Sequence, residues 1–275
     1  MTPTSFGKLQ RLEGKVVLVT GATGILGQRF CEGYAELGAS VALVDLDAAL
    51  CRKTARGIEK RYGSQAVGVG CDITCSRAVD AMVHRVMDVF GHIDVLHNNA
   101  ATKGHNLRAF FAPFEKYSLD VWREVMAVNI DGMFLVAQRV GQEMIVRGCG
   151  GSVIQTSSIY GLVGADPRIY KGSRYLGGPI NTPAVYATSK AAVVGLTRHL
   201  ATHWAVHSIR VNCLVPGGVE SGQNREFKKR YSERVPLRRM ARAEEIVSAA
   251  LFLASDASSY VTGQVLAVDG GFTAW

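Results

Sequence analysis

The segment Tyr186-Ala187-Thr188-Ser189-Lys190 runs into the apolar stretch Ala191 to Leu196, so a phenol and an ammonium stand four positions apart on a helical pattern. At i and i+4 both side chains leave one helix face. An ammonium beside a phenol favours the phenolate. It lowers the tyrosine pKa from its free value near ~10, so the residue can act as a general base closer to neutrality. The same spacing also describes an ordinary surface pair, and the rest of the chain has to decide between the two.

A second candidate lies near the other end. Thr20-Gly21-Ala22-Thr23-Gly24-Ile25-Leu26-Gly27 follows the apolar run Val16 to Thr20 and opens an apolar helical pattern. Glycines at a strand-to-helix turn let the backbone approach a pyrophosphate, and the helix N-terminus turns free N–H groups and a partial positive charge toward it. The next apolar run ends at Asp45, where a carboxylate can accept hydrogen bonds from the ribose hydroxyls of an adenosine and repel a 2′-phosphate. With Leu46 next and no Arg or Lys in the turn, the expected cofactor is NAD, with NADP less favoured. The alternative for Asp45 is a helix cap.

Positioning these groups needs strands that alternate with helices. Short apolar, β-branched runs recur at Val16 to Thr20, Val41 to Val44, Ala66 to Gly70, Ile93 to His97, Ser152 to Thr156, Arg210 to Leu214 and Gln264 to Val268, with helical patterns between them. That order predicts βαβ units. The expected fold is α/β, a Rossmann-type doubly wound parallel sheet in a single domain over 1–275, with catalytic groups at the carboxyl ends of the strands. Two stretches read as long surface excursions: a Pro- and Gly-rich insertion at about 161–183 and a polar, charged segment at about 221–241, the expected substrate lid.

The 275 residues, 48% hydrophobic and 20% charged, can bury a sizeable core. No apolar run is long enough to span a membrane, and the N-terminus lacks the apolar core of a secretory signal, so a cytoplasmic location is expected. Cys31, Cys51, Cys71, Cys75, Cys149 and Cys213 are scattered without metal-ligand spacing and read as reduced thiols, with no metal implied. The net charge of +8 gathers partly in Lys228, Lys229, Arg230, Arg234, Arg238, Arg239 and Arg242. With no helix-turn-helix, zinc or RNA-binding signature, that charge points to a solvated face or an anionic small molecule rather than nucleic acid.

Nine ordered motifs resemble the classical branch of the short-chain dehydrogenase/reductase family over nearly the whole chain. They are the glycine turn at Thr20 to Gly27, Cys71-Asp72-Ile73-Thr74, Asn98-Asn99-Ala100, Val128-Asn129, Thr156-Ser157-Ser158, Tyr186 to Lys190, Arg210-Val211-Asn212, Pro216-Gly217, and Thr262-Gly263-Gln264 to Asp269-Gly270-Gly271. The resemblance implies a catalytic set of Asn129, Ser158, Tyr186 and Lys190. Tyr186 would be the acid/base, and Lys190 would lower its pKa and bind the nicotinamide ribose. Ser158 would bind the substrate oxygen, and Asn129 would hold a water linking Lys190 to solvent.

The dinucleotide would meet Gly21, Thr23, Gly24, Ile25, Leu26 and Gly27 in the turn, then Asp45, Leu46, Asp72 and Ile73, with Asn99, Ala100 and Ala101 lining its cleft. Pro216, Gly217, Val219 and Ser221 would border the nicotinamide, beside Tyr186 and Lys190. Neighbouring strand residues face opposite ways, so only one of Ser157 and Ser158 can point at the cleft, and the family pattern selects Ser158. The resemblance also implies a homotetramer or homodimer.

Two departures stand out. The turn has Ile25 where the classical branch has its middle glycine. Ser158 and Tyr186 are also 28 positions apart, about twice the usual family spacing. Arg168, Tyr170, Lys171, Arg174 and Tyr175 make the extra chain basic and aromatic, so Arg168, Lys171 and Arg174 are candidate contacts to an anionic substrate. The expected reaction is NAD-dependent interconversion of a secondary alcohol and a ketone on a small molecule, with a sugar or anionic polyol as the candidate substrate. The alternatives are an NADPH-dependent 3-ketoacyl or carbonyl reductase and a non-catalytic dinucleotide sensor.

Overall fold

Each of the seven apolar runs forms a strand, and each central strand is buried on both faces because helices cover the sheet from either side. The computed structural model describes residues 5–175 and 178–275. The first half contains α1 (Phe6–Leu9), β1 (Val16–Thr20), α2 (Ile25–Glu36), β2 (Ser40–Asp45), α3 (Ala48–Tyr62), β3 (Ala66–Gly70), α4 (Ser76–Phe90) and β4 (Val95–Asn98). Then come α5 (Leu107–Phe110), α6 (Leu119–Met126), α7 (Met133–Arg147), β5 (Gly151–Thr156), β6 (Arg174–Tyr175) and β7 (Gly178–Pro179). The chain finishes with α8 (Ala184–His203), β8 (Ile209–Pro216), α9 (Arg225–Arg234), α10 (Ala243–Ala254) and β9 (Val265–Val268).

Seven strands form one parallel sheet in the order β3-β2-β1-β4-β5-β8-β9. Period-two alternation sends Val17, Val19, Val41, Leu43 and Ile154 into a core shared with α2, α3 and α10. Val16, Leu18, Ala42, Val44 and Val153 pack on the other side with α4, α7 and the end of α8. The strand order reverses between β1 and β4, and the crevice above their carboxyl ends is the topological switch point of such a sheet.

Local sequence explains the helix ends that bear on the cleft. The Asp47 carboxylate caps α3 by accepting from the Ala49 and Leu50 N–H groups, so the helix cap belongs to Asp47 and not to Asp45. Between α6 and α7, residues Ala127–Gly132 form one wider π-helical turn around the buried Asn129. Such turns concentrate at functional sites.

In their described residues the two excursions pack together. The insertion holds a 3₁₀ turn, Pro167–Tyr170, and the antiparallel ribbon β6–β7, while the second excursion holds α9. Tyr160, Phe272, Tyr231, Phe227 and Tyr170 follow one another at centroid separations of 6.4, 5.4, 5.8 and 5.6 Å. A hydrogen bond between the Tyr160 and Tyr170 hydroxyls, 2.9 Å, closes the ring. Tyr170 therefore turns inward, its ring packed against Phe227 of α9. The Tyr175 side chain lies outside the described residues.

Buried at the centre of the sheet, His97 on β4 is fully enclosed, and burial holds its imidazole down to about 3. An unfolded histidine titrates near ~6.5, so below that pH the unfolded chain binds a proton that the folded chain refuses. Stability contributed above pH ~6.5 is lost as pH falls toward 3, amounting to about 2 kcal/mol by pH 5. His97→Gln should therefore narrow the gap between melting temperatures measured at pH 7 and pH 5. An unchanged gap would contradict this account.

Candidate active site

The glycine turn is shaped by close approaches rather than by flexibility alone. Gly21 adopts φ +64°, and a Cβ there would lie 2.8 Å from Ala100 Cα. A Cβ on Gly27 would stand 1.9 Å from the Gly21 carbonyl oxygen. Ile25, in contrast, is the first residue of α2 and 65% exposed, so helical backbone and open space accept a side chain where the classical family pattern has glycine. Gly24 caps α2 without any side-chain hydrogen bond, leaving first-turn N–H groups directed to the cleft.

Hydrogen bonds stitch this turn to β4. Thr20 Oγ1 accepts from the N–H groups of Asn99 and Ala100 at 3.0 and 3.1 Å and donates to Asn98 Oδ1 at 3.2 Å. Asn99 Nδ2 donates to the Thr20 carbonyl at 3.2 Å. Asp45, at the end of β2, accepts from Thr23 N–H at 2.9 Å and Thr23 Oγ1 at 2.6 Å, and its other oxygen accepts from Leu46 N–H at 2.8 Å. The carboxylate is thus fixed against the turn, with lone pairs still available for a diol.

A cleft of about 1010 Å³ opens over these strand ends. Its walls include every residue that sequence assigned to the dinucleotide: Gly21 and Thr23 to Gly27 of the turn, Asp45, Leu46, Asp72, Ile73, Asn99, Ala100, Ala101, Pro216, Gly217, Val219 and Ser221, with Ser158, Tyr186 and Lys190. Lys103, His105 and Glu124 also line it and were missed by sequence reasoning, because they lie on irregular chain or an exposed helix flank without motif or periodicity. A cradle of glycine backbone, an uncapped helix end and a carboxylate at the second strand fits a dinucleotide. Among the described residues there is no cluster of three or more His, Cys, Asp or Glu side chains suited to a metal ion.

At the other end of the cleft, Lys190 is 2% exposed and its Nζ donates to the Thr156 carbonyl at 3.0 Å. Burial lowers its pKa to about 8. The ammonium lies 5.9 Å from the centroid of the Tyr186 ring. The expected lowering of the Tyr186 pKa is not what the chain by itself produces: burial raises the phenol, and a hydrogen bond with Ser158 offsets part of that. Desolvation of the phenolate is the dominant cause.

Ser157 and Ser158 divide as strand geometry requires. Ser157 Oγ donates to the Lys190 carbonyl at 2.6 Å, tying β5 to α8, while Ser158 is the partner of Tyr186 in the cleft. Asn129 is fully buried behind the cleft wall: its Oδ1 accepts from Thr102 N–H at 2.8 Å, and its Nδ2 donates to Ser189 Oγ at 3.1 Å. Its side chain braces the α8 turn that carries Tyr186 and Lys190.

The insertion's basic residues stand apart from this group. Arg168 is bidentate to Asp166 and largely exposed, while Lys171 and Arg174 border a separate shallow groove on the outer side of the insertion. None of the three lines the main cleft. Local Asp166 neutralises the guanidinium that sequence had offered to an anionic substrate.

A parallel Rossmann-type sheet with a dinucleotide cradle beside a Tyr, Lys and Ser group defines an oxidoreductase of the nicotinamide class. Residues 21–273 match the family profile described as enoyl-(acyl carrier protein) reductase. The chain is 35% identical to the D-threitol dehydrogenase of Mycolicibacterium smegmatis, over 96% of this chain and 94% of that one. It is 32% identical to a 3-oxoacyl-(acyl-carrier-protein) reductase of Aquifex aeolicus, over 95% and 98%. The crystal structure of a gluconate 5-dehydrogenase from Burkholderia cenocepacia, in complex with NADP and tartrate, superposes with a TM-score of 0.84 at 33% identity, covering 98% of each chain. The chain belongs to the short-chain dehydrogenase/reductase family and is an NAD(P)-dependent oxidoreductase acting on CH–OH groups.

Because a methyl group on Gly27 would collide with backbone, Gly27→Ala should weaken dinucleotide binding by about tenfold or more, a loss of about 1.4 kcal/mol. Titrating the intrinsic fluorescence of the protein with NAD and NADP checks this, and an unaltered dissociation constant would show that the turn does not hold the pyrophosphate.

Proposed function

We propose that the protein oxidises a secondary alcohol of an uncharged polyol or sugar with NAD as hydride acceptor. The observation that carries this reading is the convergence of Tyr186, Lys190 and Ser158 at one end of a cleft whose other end presents the Asp45 carboxylate. A bound dinucleotide supplies the hydride acceptor, or in reverse the donor. The chain's own groups manage the proton and the charge. Tyr186 Oη takes the hydroxyl proton as the carbon–hydrogen bond breaks, Ser158 Oγ donates to the substrate oxygen as charge shifts on it, and the Lys190 ammonium stabilises the phenolate.

The polyol preference draws on the D-threitol dehydrogenase relative. An acyl-carrier substrate finds less support: Lys228, Arg230, Arg239 and Arg242 are already paired with Glu220, Glu226 and Glu245.

The NAD preference rests on Asp45, which would repel a 2′-phosphate, although the gluconate dehydrogenase structure carries NADP. Absorbance at 340 nm, followed with NAD and NADP against polyols, sugars, sugar acids and a ketoacyl thioester, tests these points together. NAD-linked polyol oxidation is expected, with kcat lower by about 10²–10⁴-fold in Tyr186→Phe. Asp45→Ser should shrink the NAD preference by about tenfold. Activity confined to NADPH and ketoacyl thioesters would overturn the reading.

A further inference from the structure

His97 takes no part in the scheme above, yet its ring holds the side chain of Thr156, the residue whose carbonyl receives the Lys190 ammonium. Its Nδ1 lies 2.8 Å from Tyr34 Oη and its Nε2 lies 2.9 Å from Thr156 Oγ1. The Phe30 ring packs against the imidazole at a centroid distance of 4.2 Å. Tyr34 and Phe30 belong to α2, so the imidazole lies on the α2 side of the sheet. Lys190 approaches from α8 on the other side and donates to the carbonyl of the same residue, Thr156.

Thr156 needs such a tie. The β4–β5 ladder ends at Asn98 and Gln155, so Thr156 has a strand partner only in β8, at Leu214. On the β4 side no ladder pair holds the last residue of β5, and the His97 side chain reaches across in its place. Two catalytic elements hang from this strand end: the carbonyl that receives the Lys190 ammonium and, two residues on, Ser158.

We propose that His97 is a positioning residue for hydride transfer: by holding the Thr156 side chain from the α2 side, it fixes the carbonyl that seats the Lys190 ammonium. The imidazole stays neutral throughout the working range, so it acts through its two hydrogen bonds and carries no charge into the site. Loosening Thr156 lets Lys190 drift from its seat and weakens the positive field at Tyr186, which raises the phenol pKa. The inference rests on the reading of Tyr186 and Lys190 as the reacting pair.

The test is steady-state oxidation measured across pH for the wild type, His97→Val, His97→Gln and Thr156→Val, with Lys190→Ala as reference. His97→Val and the isosteric Thr156→Val are expected to lower kcat by about tenfold and to move the acid limb of the kcat profile upward by about half a unit to one unit. The KM for the alcohol should stay within about twofold. His97→Gln keeps one donor and one acceptor and should recover most of the rate. If His97→Val does not fold, Thr156→Val carries the test, since it changes only a hydroxyl at a strand end. Unchanged kcat and an unmoved acid limb in folded variants, beside an inactive Lys190→Ala, would overturn the proposal alone. A fully active Lys190→Ala would instead overturn the reading of the site on which it stands.

Discussion

The ammonium of Lys190 is enclosed by protein, and its surroundings are arranged around the cost of keeping a charge there. Moving a cation out of water is expensive unless dipoles replace the lost hydration, and here the Thr156 carbonyl does so at the end of β5. The arrangement demands that β5 stop at a defined place and that α8 approach it at a defined height. Ser157, reaching the Lys190 carbonyl, and Asn129, reaching Ser189 from the π turn, meet that demand from two further directions. The compensation is incomplete, and burial still lowers the lysine pKa to about 8.

A similar economy governs the other end of the cleft. Thr20 serves three hydrogen bonds at once, and Asn99 holds the carbonyl of the turn, so the cradle is rigid before any ligand arrives. A preformed cradle spends little of a ligand's binding energy on ordering the protein.

The strands were legible because continuous β-branched runs between helical patterns have few other interpretations, and the glycine turn and Asp45 were legible from turn chemistry and a strand end, while the remaining cleft residues came from the family resemblance. The spacing of Tyr186 and Lys190 gained its meaning only beside the other motifs of the chain. The direction of the Tyr186 shift could not be read from sequence, since it depends on how deeply the ring is buried. The inward turn of Tyr170 depends on α9, more than fifty residues away in sequence. The neutralisation of Arg168 came from Asp166, two positions earlier, whose side chain could equally have faced solvent. Lys103 and His105 reach the cleft through the path of a loop and Glu124 from the flank of α6, which no local pattern encodes.

The ring of five aromatic side chains has a consequence beyond packing. Tyr170 comes from the insertion, Phe227 and Tyr231 from α9, Tyr160 from the end of β5's loop, and Phe272 from the last residues of the chain, while the Tyr231 hydroxyl accepts from Gly218 N–H at the cleft edge. Each segment supplies the interior of the others, so none can be shortened alone without exposing rings that the rest had covered. The two excursions and the C-terminal residues thus form one packing unit, in which a change of length in any one segment has to be accommodated by the other two.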